Sequence, residues 1–214
     1  MSARRIAVVS AGLSTPSSTR MLADRLADAT LHQLSTRGVE ASVDTFELRD
    51  YAHEITNNLL TGFAAPELES MINTVVSADA IIVVTPIFTT SYSGLFKSFI
   101  DVIDKDALIG KPVLIGATAG TPRHSLAIDY AIRPLFAYLH AEAVSTGVFA
   151  ASDDWGGTGD QVAPLGARIE KGAAELADAI ARRDAATSSD PFDPSNYLRG
   201  GDSFENLLGG FAGD

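Results

Sequence analysis

The sequence contains no cysteine among its 214 residues. Disulfides, thiol nucleophiles, thiolate-held iron–sulfur clusters and cysteine-ligated zinc are therefore excluded. Histidine is scarce as well, with four residues, and none of them has the H-E-x-x-H spacing of a metal motif. No metal site is expected, and any redox chemistry must come from a bound organic cofactor.

Positive charge is also in short supply, because 16 lysines and arginines face 27 acidic residues, for a net charge of -11. No basic cluster is available to follow a phosphate backbone, so a nucleic-acid partner is not expected. Long apolar runs are missing near the start, where 6–9 is too short for a signal peptide or a membrane span. We therefore expect a cytoplasmic protein without a membrane partner.

The chain does contain a regular alternation of short apolar runs and longer segments with helical periodicity. Five strand–helix units of this kind predict an α/β fold with a parallel sheet between two helical layers. Five strands are typical of the flavodoxin-like three-layer sandwich with strand order 2-1-3-4-5. The predicted strands are 6–9, 41–46, 80–84, 113–117 and 144–149, and the predicted helices are 18–37, 66–77, 93–103, 124–140 and 163–183.

The composition changes near residue 184. The segment 184–214 has six acidic residues against the single Arg199, together with many Ser, Pro and Gly residues. We predict one domain over 1–183 and an acidic carboxyl-terminal tail over 184–214. The tail either docks on a neighbouring subunit or is disordered, and its composition favours neither alternative.

The loop after the first strand, residues 10–19, is rich in hydroxyl side chains and leads directly into a helix. Backbone amides and the dipole at a helix amino terminus favour a bound anion. The loop has neither the G-x-x-x-x-G-K-[ST] nor the G-x-G-x-x-G pattern, so a phosphomonoester such as that of FMN is favoured over ATP or a Rossmann-type dinucleotide. The alternative is that Ser17, Ser18 or Thr19 only caps the helix.

Two further loops are expected at the same edge of the sheet, where ligands bind in open α/β folds. The loop after strand 80–84 offers Pro86, Ile87 and Phe88 followed by hydroxyl side chains, a combination suited to a flat ring with polar edges. The loop over 118–122 consists of small residues that allow a ligand close to the backbone, although a plain turn is the more common explanation of such a sequence.

Segments 85–97 and 124–135 resemble the NAD(P)H-dependent FMN reductases that supply reduced flavin to two-component monooxygenases. The resemblance extends over about residues 4–180 and is to an actinobacterial subgroup with an extended carboxyl terminus. It implies FMN with NADPH or NADH as hydride donor, a partner monooxygenase, and a homodimer or homotetramer. The sequence does not distinguish NADH from NADPH, or dimer from tetramer.

The resemblance also implies roles for individual residues. No side chain acts as a catalytic acid or base; the flavin carries the hydride transfer, and Pro86, Ile87 and Phe88 position it. Tyr92 and Tyr130 match oligomer interfaces, and Tyr130 matches a residue inserted to form a π-bulge. The residues implied to bind the cofactor are Ser10, Ser17, Ser18, Thr19, Pro86, Ile87, Phe88, Thr89, Ser91, Thr118, Ala119 and Gly120.

Several alternatives stay open. The protein could retain FMN and reduce quinones or azo compounds, it could be a non-catalytic flavodoxin-like electron carrier, or it could be a flavin-free interaction domain. His124 either forms local hydrogen bonds or reaches a ligand. Trp155 is expected to serve packing rather than to cover a flavin edge, because large aromatic side chains usually serve burial. Lys97 and Asp101, at i,i+4, are expected to pair on a helix surface.

Overall fold

The central sheet is parallel and buried on both faces. In the computed structural model, which describes residues 3–156 and 163–182, its main strands are β1 (Arg4–Ser10), β2 (Ala41–Glu47), β3 (Ala80–Phe88) and β5 (Pro112–Ala119). A two-residue strand, β4 (Ser91–Tyr92), pairs antiparallel with the end of β3. The predicted tail 184–214 lies outside the described residues.

The strand order confirms the flavodoxin-like prediction, with one difference at the fifth position. The order is β2-β1-β3-β5, followed by β6 (Glu142–Ala143) and β7 (Val148–Ala151), which both pair with β5. Of the single strand predicted over 144–149, only residues 148–149 lie in a strand, β7; residues 144–147 form a break between β7 and the short β6 that precedes them.

The break has a clear physical cause. Arg133 donates hydrogen bonds to the carbonyl oxygens of Val144 and Ser145, at 2.8 and 3.0 Å, so these groups are satisfied outside the sheet. At Gly147, a Cβ atom would lie 2.5 Å from Cγ2 of Ile128, so the backbone here approaches the neighbouring helix too closely for any side chain. The Val144 N–H still donates to the Val113 carbonyl oxygen of β5 at 2.9 Å, but the carbonyl oxygens of Val144 and Ser145 are bonded to Arg133 instead of to a strand.

Helices cover both faces of the sheet, as predicted. The helices over 18–36 and 165–182 pack with Ile82 and Val84 of β3, and the helices over 66–77, 94–102 and 133–138 pack with Ile81 and Val83 on the opposite face. No helix among residues 3–156 and 163–182 has the length and apolarity needed to span a bilayer. The α-helices are α1 (Ser18–Thr36), α2 (Ala52–Thr61), α3 (Pro66–Ser77), α4 (Gly94–Val102), α5 (Arg133–Tyr138), α6 (Ser152–Trp155) and α7 (Leu165–Arg182).

The helix predicted over 124–140 is divided into three pieces. A 3₁₀ turn at Pro122–His124 is followed by a π-helix at Ile128–Ile132 and then by α5. The π-helix contains Tyr130, so the π-bulge implied by the family resemblance is confirmed. The side chain of Tyr130 is 80% exposed.

Candidate functional site

A cavity of about 340 Å³ opens at the carboxyl edge of the sheet. The loops after β1, β3, β5 and β7 form its walls. A larger cleft of about 610 Å³ runs along α3, but only the smaller cavity lies where several strand ends converge, as expected of a ligand site in this fold. Eight predicted residues line the smaller cavity: Ser18, Thr19, Pro86, Ile87, Phe88, Thr118, Ala119 and Gly120.

The first wall is the amino terminus of α1. Ser17 is the N-cap, and its Oγ accepts a hydrogen bond from the Arg20 N–H at 3.2 Å, so the capping role considered for this residue is present. The amides of Ser18 and Thr19 precede this bond and have no partner within the helix. This end of the cavity therefore offers free N–H donors and a positive dipole end.

Ser10 and Ser17 were both assigned to the phosphate site, yet neither lines the cavity. Ser10 ends β1 and is fully buried, and its Oγ has no hydrogen-bond partner among the described residues. Because side chains alternate along a strand, Ser10 shares the α1 face of the sheet with Ile6 and Val8. A buried hydroxyl without a hydrogen-bond partner is uncommon in a folded protein, but this one is enclosed by protein and does not face the cavity.

The third wall is the loop after β5, and one hydrogen bond joins it to the first wall. The Oγ1 atoms of Thr19 and Thr118 lie 2.8 Å apart, and both side chains are buried. Beyond Thr118, a Cβ atom added to Gly120 would meet no protein atom within 4 Å. The loop after β5 is thus tied to α1 at its base and faces free space at its end.

The second wall is the apolar end of β3. Pro86 and Ile87 are buried, and Phe88 is 48% exposed at the cavity. Thr89 and Thr90 form the turn to β4 with φ values of 49° and 71°, the left-handed conformations of a type I′ hairpin turn. Thr89 does not line the cavity.

Ser91 is the partner of Phe88 in the β3–β4 ladder and also does not line the cavity. The base of this hairpin is fixed by Thr85, whose Oγ1 accepts a hydrogen bond from the Ser93 N–H at 3.1 Å. The Ser93 Oγ in turn accepts one from the Phe96 N–H at the start of α4. Residues 86–88 are therefore held between a buried strand and a capped helix.

The fourth wall includes residues that the sequence did not single out as ligand contacts. Ser152 and Trp155 of α6 line the cavity. Trp155 lies against Arg25, whose guanidinium carbon is 4.9 Å from the ring centroid. Asp154 fixes α6 by accepting a hydrogen bond from the Ala151 N–H and by pairing with Arg168. The signal for this wall was the lone tryptophan directly after the fifth strand.

Three other predicted residues lie away from the cavity walls. His124 ends the 3₁₀ turn after β5 and does not line the cavity. Lys97 and Asp101 form an ion pair at 2.5 Å on α4, as expected.

Within residues 3–156 and 163–182, no three His, Asp or Glu side chains are grouped as a metal site.

The two tyrosines assigned to oligomer interfaces differ in environment. The ring of Tyr92 is half-buried and packs at 6.1 Å from that of Phe96, whereas Tyr130 projects from the π-helix. Part of the Tyr92 ring is therefore already buried within its own subunit, and Tyr130 is the more exposed of the two.

Comparison with known proteins decides the family. A family model described as NADPH-dependent FMN reductase matches residues 4–156. This chain belongs to that family. The FMN reductase family uses FMN and NAD(P)H, so the predicted family, enzyme class and chemistry are confirmed.

Individual members of the family are similar over most of their length. An FMN reductase (NADPH) of Pseudomonas aeruginosa is 35% identical and aligns over 81% of this chain and 90% of its own. The NADH-dependent FMN reductase SfnF of Pseudomonas fluorescens is 34% identical, with the same coverage of both chains. A solved oxidoreductase from Corynebacterium diphtheriae is 45% identical, has a TM-score of 0.81, and is matched over 85% of this chain and 99% of its own.

Proposed function

We propose that this FMN reductase takes FMN as a substrate, reduces it with NADPH or NADH, and releases reduced FMN to a partner monooxygenase. The observation that carries the proposal is the two-ended cavity. One end has helix amides and hydroxyls, and the other has the apolar Pro86, Ile87 and Phe88. A phosphate on a flat ring has the same polarity at its two ends.

At the polar end, the amides of Ser18 and Thr19 bind the phosphate oxygens. No lysine or arginine is among the described residues that line the cavity. Charge-assisted hydrogen bonds are the strong ones, so a phosphate held without them is released more readily. Such binding suits a flavin that must leave after reduction.

At the apolar end, Pro86, Ile87 and Phe88 support one face of the ring and leave the other to the nicotinamide. When bound, FMN supplies the hydride acceptor, its N5 atom, for the hydride from nicotinamide C4. The lining side chains are apolar, hydroxyl or indole groups, with no carboxylate or imidazole among the described residues. The protein therefore accelerates the reaction by positioning rather than by acid–base catalysis.

The remaining assignments are proposals from the same family pattern. Thr89 and Ser91 contact the flavin through backbone groups of the β3–β4 hairpin. The protein assembles as a homodimer or homotetramer through surfaces that include Tyr92 and Tyr130, and the 80% exposure of Tyr130 supports a role on such a surface. The protein acts in the cytoplasm.

The testing experiment is anaerobic oxidation of NADH and of NADPH, followed by nicotinamide absorbance, with and without added FMN. We expect purified protein without flavin to be inactive and turnover to saturate as FMN is added. The faster nucleotide identifies the donor, which matters because the relatives above include both an NADPH-dependent and an NADH-dependent enzyme.

Two other outcomes would contradict the proposal. Yellow protein that oxidises the nucleotide only when a quinone or azo compound is present would identify an enzyme that retains FMN. Tight FMN binding without nucleotide oxidation would identify an electron carrier.

A further inference from the structure

Glu47, the last residue of β2, lies beside the loop that leads into α1 and contacts two arginines. Its side chain is 15% exposed. Oε1 accepts a hydrogen bond from Nη1 of Arg20 at 3.0 Å, and Oε2 lies 3.0 Å from Nη2 of Arg49 as an ion pair without hydrogen-bond alignment. One carboxylate therefore holds two cations that are 29 residues apart in sequence.

The guanidinium of Arg49 contacts the loop directly, whereas Arg20 lies where the loop ends and α1 begins. Arg49 Nη1 donates a hydrogen bond to the carbonyl oxygen of Ser14 at 2.9 Å and another to Thr15 Oγ1. Arg20 lies in the first turn of α1, where its N–H is bonded to Ser17 Oγ. Ser14 itself lines the cavity. Through its arginines, Glu47 thus connects the cavity side of the loop to the start of the helix.

The nitrogens of Arg49 are occupied by protein groups. Nη1 is bonded to the loop, Nη2 is paired with Glu47, and Nε lies 3.7 Å from a carboxylate oxygen of Asp50. Two of its N–H groups are thus hydrogen-bonded to the loop, and the remaining nitrogens lie beside the carboxylates of Glu47 and Asp50. Its contacts act on the shape of the loop.

Arg20 is similarly engaged. It donates to Asp24 at 2.7 Å as well as to Glu47. The hydrogen bond and charge of Asp24, together with Glu47, raise the pKa of Arg20 although burial opposes the shift. Arg20 therefore fixes Glu47 to the first turn of α1, and Arg49 fixes Glu47 to the loop.

We propose that Glu47 is a positioning residue for flavin binding: it holds Arg20 and Arg49 so that the loop over 12–17 keeps the conformation that receives the FMN phosphate. This inference rests on the proposed binding of FMN at that loop. A loop ordered before the ligand arrives loses less conformational entropy on binding, which raises affinity without any new contact to the ligand.

Electrostatics and positioning predict opposite results for Glu47→Gln. Removal of a carboxylate near a phosphate dianion relieves repulsion and, by charge alone, strengthens FMN binding. Release of the two arginines loosens the loop and weakens FMN binding. The sign of the change in dissociation constant therefore separates the two effects.

The matched control is Asp44→Asn, on the same strand. Asp44 is 47% exposed and pairs with Arg5 at 3.4 Å, so this variant removes the same charge from β2 without touching the loop. Dissociation constants are measured for FMN and for riboflavin, which lacks the phosphate. We expect Glu47→Gln to raise the FMN constant about tenfold and the riboflavin constant less than about twofold, with Asp44→Asn changing neither.

Amide hydrogen exchange without flavin gives a second readout. We expect faster exchange in the peptide over 12–17 of Glu47→Gln and unchanged exchange in β3. In a separate FMN titration, we expect Arg49→Lys to bind FMN more tightly than Arg49→Ala does. Unchanged or tighter FMN binding in Glu47→Gln, or equal weakening of FMN and riboflavin, would overturn the inference. Because wild-type turnover with FMN is measured in parallel, these results are distinguishable from a failure of the proposed function.

Discussion

The two ends of the cavity are built in different ways. The apolar end, formed by Pro86, Ile87 and Phe88, lies at the end of β3 and is held by a hairpin that closes within a few residues. The polar end depends on Glu47 and Thr118, which come from other strands. Apolar burial requires only the correct local pattern, whereas a phosphate site requires donors and charges that tertiary structure brings together.

The largest expected effect is at the polar end. Ser17→Asp keeps a good N-cap, because aspartate caps helices as well as serine does, but it places a negative charge against the phosphate. At about 5 Å and an effective dielectric constant of about 20, this repulsion is about 3 kcal/mol for each unit of negative charge on the phosphate. We expect FMN affinity to fall on the order of 100-fold in a flavin titration.

Ser35→Asp is the control for this variant, since it adds the same charge at the exposed far end of α1. It should leave the FMN dissociation constant unchanged. If Ser17→Asp bound FMN with the wild-type dissociation constant, the phosphate would not bind at this end of the cavity.

The bond between the first and third walls gives the next effect. In Thr118→Val, the buried hydroxyl of Thr19 loses its partner, and we expect a loss of about 1–2 kcal/mol in the free energy of unfolding of the flavin-free protein. Denaturant unfolding measures it. The double variant with Thr19→Val should recover part of the loss, since it leaves no hydroxyl unsatisfied.

Thr30→Val serves as the comparison for this bond. Thr30 is equally buried, but its hydroxyl donates to the Leu26 carbonyl, which also accepts a helix hydrogen bond. A loss for Thr118→Val no greater than that for Thr30→Val would show that the bond between the two walls adds nothing.

The turn beside the apolar end contains backbone strain that substitution can relieve. β-Branched residues are unfavourable at positive φ, and type I′ turns prefer Asn-Gly. We expect Thr89→Asn with Thr90→Gly to stabilise the protein by about 1 kcal/mol, which at this size raises Tm by about 2–4 °C. Gly62 has a φ of 78°, so we expect Gly62→Thr to introduce strain and to lower Tm.

The same pair of substitutions tests the assignment of Thr89 to the flavin. If only its backbone contacts the ring, FMN affinity should be retained in Thr89→Asn. A large loss of affinity together with a raised Tm would show that the threonine side chain binds the flavin.

The smallest effect is expected at the fourth wall. Because Trp155 is the only tryptophan in the chain and lines the cavity, FMN should quench most of the tryptophan fluorescence. Trp155→Phe keeps an aromatic wall, so its FMN dissociation constant should rise only about threefold. Fluorescence that does not respond to saturating FMN would place the flavin outside this cavity.

The sequence predicted the apolar end more completely than the polar end. The uninterrupted apolar run of β3 identifies a doubly buried strand, and Pro86 to Phe88 follow it directly. The position of the polar loop was also predictable. Its supports were not, because nothing in the local pattern around Glu47 or Arg49 relates them to a loop more than 30 residues away.

The elements that departed from prediction have similar causes. The helix α2 was missed because only Ile55 is buried on it, so its apolar periodicity is weak. The break in the fifth strand depends on Arg133, which precedes it by more than ten residues. Apolar periodicity shows which side of a segment packs against the core. It contains no information about hydrogen bonds donated by residues elsewhere in the chain.

The break between β6 and β7 has a consequence for solubility. These strands form one edge of the sheet, and a long unpaired edge is a template on which a second chain can add a strand and begin aggregation. Here the edge consists of ladders of two and four residues, and the carbonyls of Val144 and Ser145 between them are already bonded to Arg133. The interruption therefore protects the protein against edge-to-edge self-association.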